Sequence, residues 1–277
     1  MYRLLVSDLR AECEALDRLV SGLDAAAAAR QTKFFAWTIR DEIEHLHQVD
    51  GFGLAAMESD AAFAEVFISV RADQARGIEL SGQARRDYAH LSWPELLGAW
   101  RAGWREIAAR LDASNSKDRI MWFGPDMSRL AFAAARQMEV WAHGQDVLDT
   151  LGLSRPAEPR IRHICELGVR TFGWSFVNRD LDVPKRPTVA LVGPADEDWR
   201  WPGENERENE GADAGLVSGT AHDFALVVTQ RRNAADTGLV AQGEPARHWL
   251  EFAQCFAGAP QDHPPPGSHL RKVRSRS

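Results

Sequence analysis

Apolar residues recur three and four positions apart through most of the first 150 residues, the spacing of a buried helical face. Leu5, Leu9, Cys13, Leu16, Val20 and Leu23 predict an amphipathic helix over residues 2–23. An alanine run follows, and residues 31–36 read as a loop. Thr38 with Asp41 three residues on is an N-terminal helix signal, so a second helix runs to about Met57. Residues 61–76 have a helical pattern, and residues 77–88 read as a connection. Trp93-Pro94 opens a helix with Trp93, Leu97, Trp100, Trp104, Ile107 and Leu111 in one stripe. Residues 112–117 are a loop, Trp122-Phe123-Gly124-Pro125 is a turn, and residues 128–150 form one more long helix. Four long amphipathic helices predict a four-helix bundle over residues 1–153.

The pattern then changes. Pro156 and Pro159 mark a junction, and residues 161–176 are a fifth helical stretch. Thr188-Val189-Ala190-Leu191-Val192 is a β-branched run between prolines, which predicts a strand, and Trp199 to Trp201 alternates as its partner. Residues 204–213 are an acidic solvated loop. Leu216-Val217 and Gly219-Thr220 precede a helix over residues 222–230; a strand over 237–241 and a helix over 245–256 follow. Residues 158–258 therefore form a small α+β domain, and residues 259–277, with Pro264 to Pro266 and basic Arg271, Lys272, Arg274 and Arg276, a disordered tail.

Composition narrows the class. The chain has 277 residues, 44% hydrophobic and 26% charged, as in a water-soluble globular protein. A formal net charge of -7 gives no general affinity for nucleic acid or anionic membranes. The three cysteines, Cys13, Cys165 and Cys255, are far apart among apolar helical neighbours, which implies buried thiols and a reducing cytoplasm. No run approaches the apolar length of a membrane span, and Asp8 and Arg10 interrupt any signal-type core.

Candidate chemistry lies in the last helix of the bundle. Arg136, Glu139, His143 and Asp146 fall in one stripe, flanked by Ala131, Ala134, Met138, Trp141 and Leu148 on one side and Val140 and Val147 on the other. A polar stripe on an apolar helix is a satisfied network or a ligand set. Glu139 and His143, four apart, reach one cation from successive turns. In the second helix His45 shares its face with Val49, Phe52 and Ala56 and points inward, whereas His47 shares its face with Arg40 and Glu44 and points to solvent or the rim. One carboxylate and two imidazoles are a common open-site count for zinc. The same pattern also fits an ordinary buried hydrogen-bond pair. His222, His248 and His263 lack such spacing. Arg231-Arg232 ends a helix, where cations are favourable; its functional reading is an anion clamp. Trp37, Trp100, Trp104 and Trp141 fit core positions better than substrate platforms.

Two of these segments carry a resemblance. Trp37-Thr38-Ile39-Arg40-Asp41-Glu42-Ile43-Glu44-His45-Leu46 and the run Arg136 to Asp146 look like the signature helices of the DinB-like metal-binding superfamily, in the branch of mycothiol-dependent maleylpyruvate isomerase. Gly219 through Thr229-Gln230-Arg231-Arg232 to Gly243, then Trp249 and Phe256-Ala257-Gly258, are similar to the C-terminal domain of that branch. The resemblance implies a DinB-like bundle with a smaller C-terminal α+β domain. It implies His45, Glu139 and His143 as ligands of a divalent ion, zinc by preference, and mycothiol as co-substrate. The isomerase's C-terminal arginine corresponds to Arg231, or to Arg232 in the neighbouring register. Arg231 would hold an anionic group, Asp146 would orient a ligand or bind the thiol's sugar, and Arg232 and Trp141 would bind the thiol cofactor. Where the family often has a Pro- and Gly-containing turn before the Trp-Thr pair, this chain has Lys33-Phe34-Phe35-Ala36, which implies a reshaped pocket.

The implied chemistry is thiolate addition to a small electrophile, ending in S-transfer or cis-trans isomerisation. The implied partners are a small-molecule substrate and a low-molecular-weight thiol, with no nucleic acid and no membrane, in a monomer or small homo-oligomer. Two other classes remain: a specialised-metabolism enzyme that runs a thiol-independent reaction on this fold, and a non-catalytic small-molecule binding protein.

Overall fold

The computed structural model describes residues 1–203 and 215–269 and divides into two compact units, Met1–Arg155 and Pro156–Ser277. The acidic stretch 204–213 and the basic residues from Arg271 onward lie outside the described residues.

Four long helices build the first unit: α1 (Tyr2–Ser21), α3 (Ile39–Glu58), α6 (Trp93–Asp112) and α7 (Arg129–Leu151). Between them come α2 (Ala25–Ala28), α4 (Asp60–Ala75) and α5 (Leu80–Tyr88). A two-residue antiparallel ribbon, β1 (Arg119–Ile120) with β2 (Met127–Ser128), leads into α7. Each of α1 and α3 packs against both α6 and α7. Ile43, Leu46, Trp100, Ile107, Phe132 and Val147, each almost fully buried, meet in the core. Burying one such side chain stabilises the fold by roughly 1.5–3 kcal/mol. Gly53 lets α3 approach closely, since a Cβ there would lie 2.4 Å from Cζ of Phe132.

The helix starts are set locally. Asp41 N donates to Thr38 Oγ1 at 3.2 Å and Thr38 N donates to Asp41 Oδ2 at 2.7 Å, a capping box that opens α3. Ser92 N and Oγ donate to Glu95 Oε2 at the start of α6, with Pro94 in the first turn. Gly152, in the left-handed region at φ 71°, closes α7.

The α5 helix corrects the expected connection over residues 77–88. Its own apolar pattern is weak, and tertiary ion pairs hold it instead. Arg85 Nε donates to Asp41 Oδ1 at 2.6 Å, and Arg86 reaches both oxygens of Asp73 at 3.2 and 3.0 Å.

The second unit places α8 (Arg162–Arg170), α9 (Phe172–Val177), α10 (Ala221–Val228) and α11 (Glu244–Phe252) with one four-stranded sheet. Its strands are β3 (Thr188–Val192), β4 (Asp198–Trp201), β5 (Leu216–Thr220) and β6 (Val240–Gln242), in the order β4-β3-β5-β6. β3 and β4 are antiparallel, with Leu191 opposite Trp199; β3 and β5 are parallel, with Val189 opposite Val217; β5 and β6 are antiparallel. Bundle helices followed by a small mixed α/β unit give the α plus α+β class expected from the sequence.

Three details differ from expectation. The single helix over residues 161–176 is two, because Thr171 Oγ1 turns back to the carbonyls of Leu167 and Gly168 at 2.9 and 3.1 Å. The last helix ends at Phe252 rather than 256, where Ala253 turns extended and Cys255 N donates to Val228 O at 2.9 Å. Residues 259–269, expected within a disordered tail, are tied down. Gln230 Nε2 donates to Gln261 O at 2.7 Å, buried His263 meets Ala253 O at 3.1 Å, and Gly267 N donates to Asp236. These partners are all distant in sequence, so local composition does not reveal them. All three cysteines are buried free thiols, and among the described residues no helix is long and apolar enough to cross a membrane.

Candidate metal centre

The α3 helix delivers His45, and α7 delivers Arg136, Glu139, His143 and Asp146 from one face; the two helices pack directly. Nε2 of His45 stands 3.5 Å from Oε2 of Glu139. The His45 and His143 rings lie 4.8 Å apart between centroids. One ligand atom from each of His45, Glu139 and His143 falls within 4.8 Å of the other two. A tetrahedral ion with bonds near 2.0–2.1 Å spaces its donors about 3.3–3.5 Å apart. The donor types and this convergence fit a divalent ion such as zinc, needing only small side-chain adjustment.

Buried groups orient the donors. His143 Nδ1 is 2.7 Å from Oε2 of Glu42, a residue with no exposed surface. A carboxylate accepts, so Nδ1 carries the proton and Nε2 is the nitrogen whose lone pair can serve a cation. Thr32 Oγ1 donates to the other Glu42 oxygen at 2.9 Å. Asp146 Oδ2 is 3.9 Å from the same Nδ1 and is also buried. Glu42, His143 and Asp146 make a second grouping of possible ligands. Cis donors on one such ion stand about 3 Å apart or more. The closer Glu42–His143 approach is therefore a hydrogen bond, and the geometry favours His45, Glu139 and His143.

Glu139 is held from behind. Its Oε2 accepts from Arg136 Nη1 at 2.8 Å, and Arg136 Nε and Nη2 reach Asp50 Oδ1 at 3.2 and 3.0 Å. Arg136 Nη2 also donates to Leu46 O at 3.3 Å. Burial pushes the Asp50 carboxyl up to about 6, against the opposing pull of Arg136. His47, expected at solvent or the rim, is half-buried: its ring lies 4.7 Å from that of Tyr88, and burial lowers its pKa. The cover belongs to α5, the helix that the local pattern does not announce.

Aromatic rings border the donors. Trp37 lies parallel to His143 at 5.9 Å and tilted against His45 at 5.3 Å, and Phe34 stands edge-on to His143 at 5.3 Å. Trp141 is buried, with the Arg155 guanidinium 4.5 Å over its ring and bonded to its carbonyl at 2.6 Å. The Arg155 guanidinium covers one face of that ring. In the second unit, Arg231 and Arg232 follow α10. The chain turns there at Gln230, φ 57°, and Arg231 N returns to Leu226 O at 2.8 Å. Arg231 is buried and donates to Thr229 O at 2.8 Å; Arg232 donates to Arg231 O at 2.7 Å.

Sequence reasoning misses Glu42 and Asp50. A signal exists: both lie on the stripe of Ile39, Ile43 and Leu46, at helical spacing, where a charged residue has to be paired or functional.

Residues 9–148 match the family model described as the mycothiol maleylpyruvate isomerase N-terminal domain. Over 256 residues, 92% of this chain and 96% of the relative, the chain is 40% identical to an uncharacterized protein of Mycobacterium tuberculosis, found in two strains. Among solved structures, the mycothiol-dependent maleylpyruvate isomerase superposes with a TM-score of 0.56 at 14% identity, covering 88% of this chain and 94% of that one. A variant of that isomerase with one histidine replaced by alanine gives 0.53 at 15% identity and the same coverage. At such identities the likeness is one of fold.

Proposed function

The chain belongs to the family of the mycothiol maleylpyruvate isomerase N-terminal domain, and we propose from this premise that it is a metal-dependent thiol enzyme. Its co-substrate is mycothiol or a similar small thiol, and its substrate is a small electrophile. The observation that carries this reading is the convergence of His45, Glu139 and His143 on one point, with the proton-bearing nitrogen of His143 committed to Glu42.

His45, Glu139 and His143 would hold the ion, zinc by donor preference. Bound there, it supplies positive charge that lowers the pKa of a coordinating thiol and leaves coordination positions open. The protein residues do the rest. Glu42 fixes the tautomer and orientation of His143, with Asp146 beside the same nitrogen as a positioning residue. Arg136 aims Glu139, and Asp50 balances Arg136 in a dry environment. Phe34 and Trp37 shield the imidazoles from bulk water. In the second unit, Arg231 or Arg232 would hold an anionic group by a guanidinium fork. Thiolate addition that later eliminates gives cis-trans isomerisation; displacement of a leaving group gives S-transfer.

Metal analysis of the purified protein is the first test. The reading predicts about one divalent ion per chain, lost in His143→Ala with the helical circular dichroism kept. Thiol consumption is then followed with mycothiol and a panel of electrophiles. No ion in the wild type, or full occupancy without reaction between any thiol and any electrophile, would sink the proposal.

A further inference from the structure

We propose that Gln230 and the C-terminal strap, residues 253–267, position the Arg231–Arg232 pair of the second unit, so that the end of the chain takes part in holding an anion. This rests on the reading above that one of these arginines binds an anionic group; it does not rest on the metal centre.

The α10 helix ends in a strained turn. Gln230 N donates to Val227 O at 2.9 Å, and Arg231 N donates to Leu226 O at 2.8 Å. These two bonds are the Schellman close of a helix, whose left-handed residue is usually glycine. Here that residue is Gln230, at φ 57°. A Cβ makes this conformation unfavourable for an L residue. Glycine would stop the helix without strain, so helix termination does not account for a glutamine. The side chain does what glycine cannot. Its Nε2 donates to Ala253 O at 3.3 Å and to Gln261 O at 2.7 Å, two carbonyls of the strap.

The strap also grips the turn on both sides of the arginines. Ahead of them, Cys255 N donates to Val228 O at 2.9 Å. Beyond them, Asn233 Nδ2 donates to Pro264 O at 3.1 Å, and Gly267 N donates to Asp236 Oδ1 at 2.8 Å. The strap has seats of its own besides Gln230. Arg179 Nη2 donates to Gln261 O at 2.6 Å, and buried His263 Nε2 donates to Ala253 O at 3.1 Å. Arg231 and Arg232 therefore stand on backbone held at Val228, Gln230, Asn233 and Asp236. A guanidinium recognises an anion through a planar, directional fork. The direction of this backbone then sets whether the fork meets the anion, which makes Gln230 and the strap positioning residues.

The test uses the full chain, with inorganic sulfate and succinate as anion probes in calorimetric titrations. Melting temperature and hydrogen-exchange rates of the Gln230 and Arg231 amides are measured on the same samples. The wild type should bind a probe, and Arg231→Met or Arg232→Met, with its melting transition retained, should abolish binding. Failure there removes the anion reading itself, and this proposal with it. Gln230→Ala keeps the strain and loses both strap bonds. It should melt lower, exchange those amides faster and bind the probe about tenfold more weakly, the scale of one charge-assisted hydrogen bond. Gln230→Gly removes the strain as well. It should recover the melting temperature yet keep the weakened binding, because a flexible turn no longer aims the guanidinium. A glutamine that only stabilises the fold predicts binding restored together with stability. Binding restored in Gln230→Gly, or unchanged in Gln230→Ala, overturns the proposal.

Discussion

His143 on α7 donates its Nδ1–H to Glu42 on α3 across 2.7 Å, in a place where Glu42 has no exposed surface. This contact decides which imidazole nitrogen faces outward and couples two helices at the site. Replacing the charge while keeping the shape tests it. Glu42→Gln should lower metal affinity by roughly 10- to 100-fold, as loss of an outer partner does, with helical content unchanged. Competition with a chromophoric chelator measures the ratio. Equal affinity would mean that Glu42 serves only the loop at Thr32.

Arg136 is buried among Asp50, Glu139 and Leu46 O. Arg136→Met leaves the Asp50 charge without its counter-ion. Removing one member of a buried pair costs about 3–5 kcal/mol. Urea unfolding of the bundle should show that loss, and Arg136→Met with Asp50→Leu should recover a good part of it. A double variant no more stable than the single would refute the pairing account.

At Gly53 a methyl group would meet Phe132 Cζ at 2.4 Å and Ile107 Cδ1 at 3.1 Å. Gly53→Ala therefore forces α3 away from α6 and α7 and should cost about 1–3 kcal/mol, despite the better helix propensity of alanine. Metal affinity should fall as well, because α3 carries His45. Thermal unfolding and the chelator titration read the two effects separately.

Asp41 links pH to the start of α3. Burial raises its pKa, but the Arg85 hydrogen bond and those from Thr38 outweigh it, leaving the carboxyl below its ordinary 3.8. As pH falls, the unfolded chain takes up this proton before the folded one. The stabilisation is therefore complete above about pH 4 and is lost as pH drops through the lower folded pKa. Asp41→Asn should cost about 1 kcal/mol at pH 7, a modest value because Arg85 is half exposed. The difference should shrink towards zero in acid. Denaturant midpoints at pH 7, 4 and 2.5 would show it; a constant gap would mean that the Asp41 charge adds nothing to stability.

Much of the bundle is legible in the chain because its determinants are close neighbours. Leu5 to Val20 and Trp93 to Leu111 repeat at helical spacing, Thr38 with Asp41 announces a helix start, and Ser128 caps α7. The four-residue step from Glu139 to His143 puts both on one face by helix geometry alone. Proline and glycine punctuation and β-branched runs likewise reveal the strand Thr188–Val192 and its partner Asp198–Trp201.

What the chain by itself determines is therefore periodicity, capping and punctuation, each an interaction between residues a few positions apart. Only the tertiary structure decides that α5 is a helix, because Arg85 and Arg86 are fixed by Asp41 and Asp73. Only it folds His47 beneath Tyr88 and ties residues 259–269 to Gln230 and Asp236. Above all, it brings the Glu42 carboxylate to His143, 101 positions away. Such a contact arises when two separately specified helices pack, and its energy depends on a dry environment that no local pattern encodes.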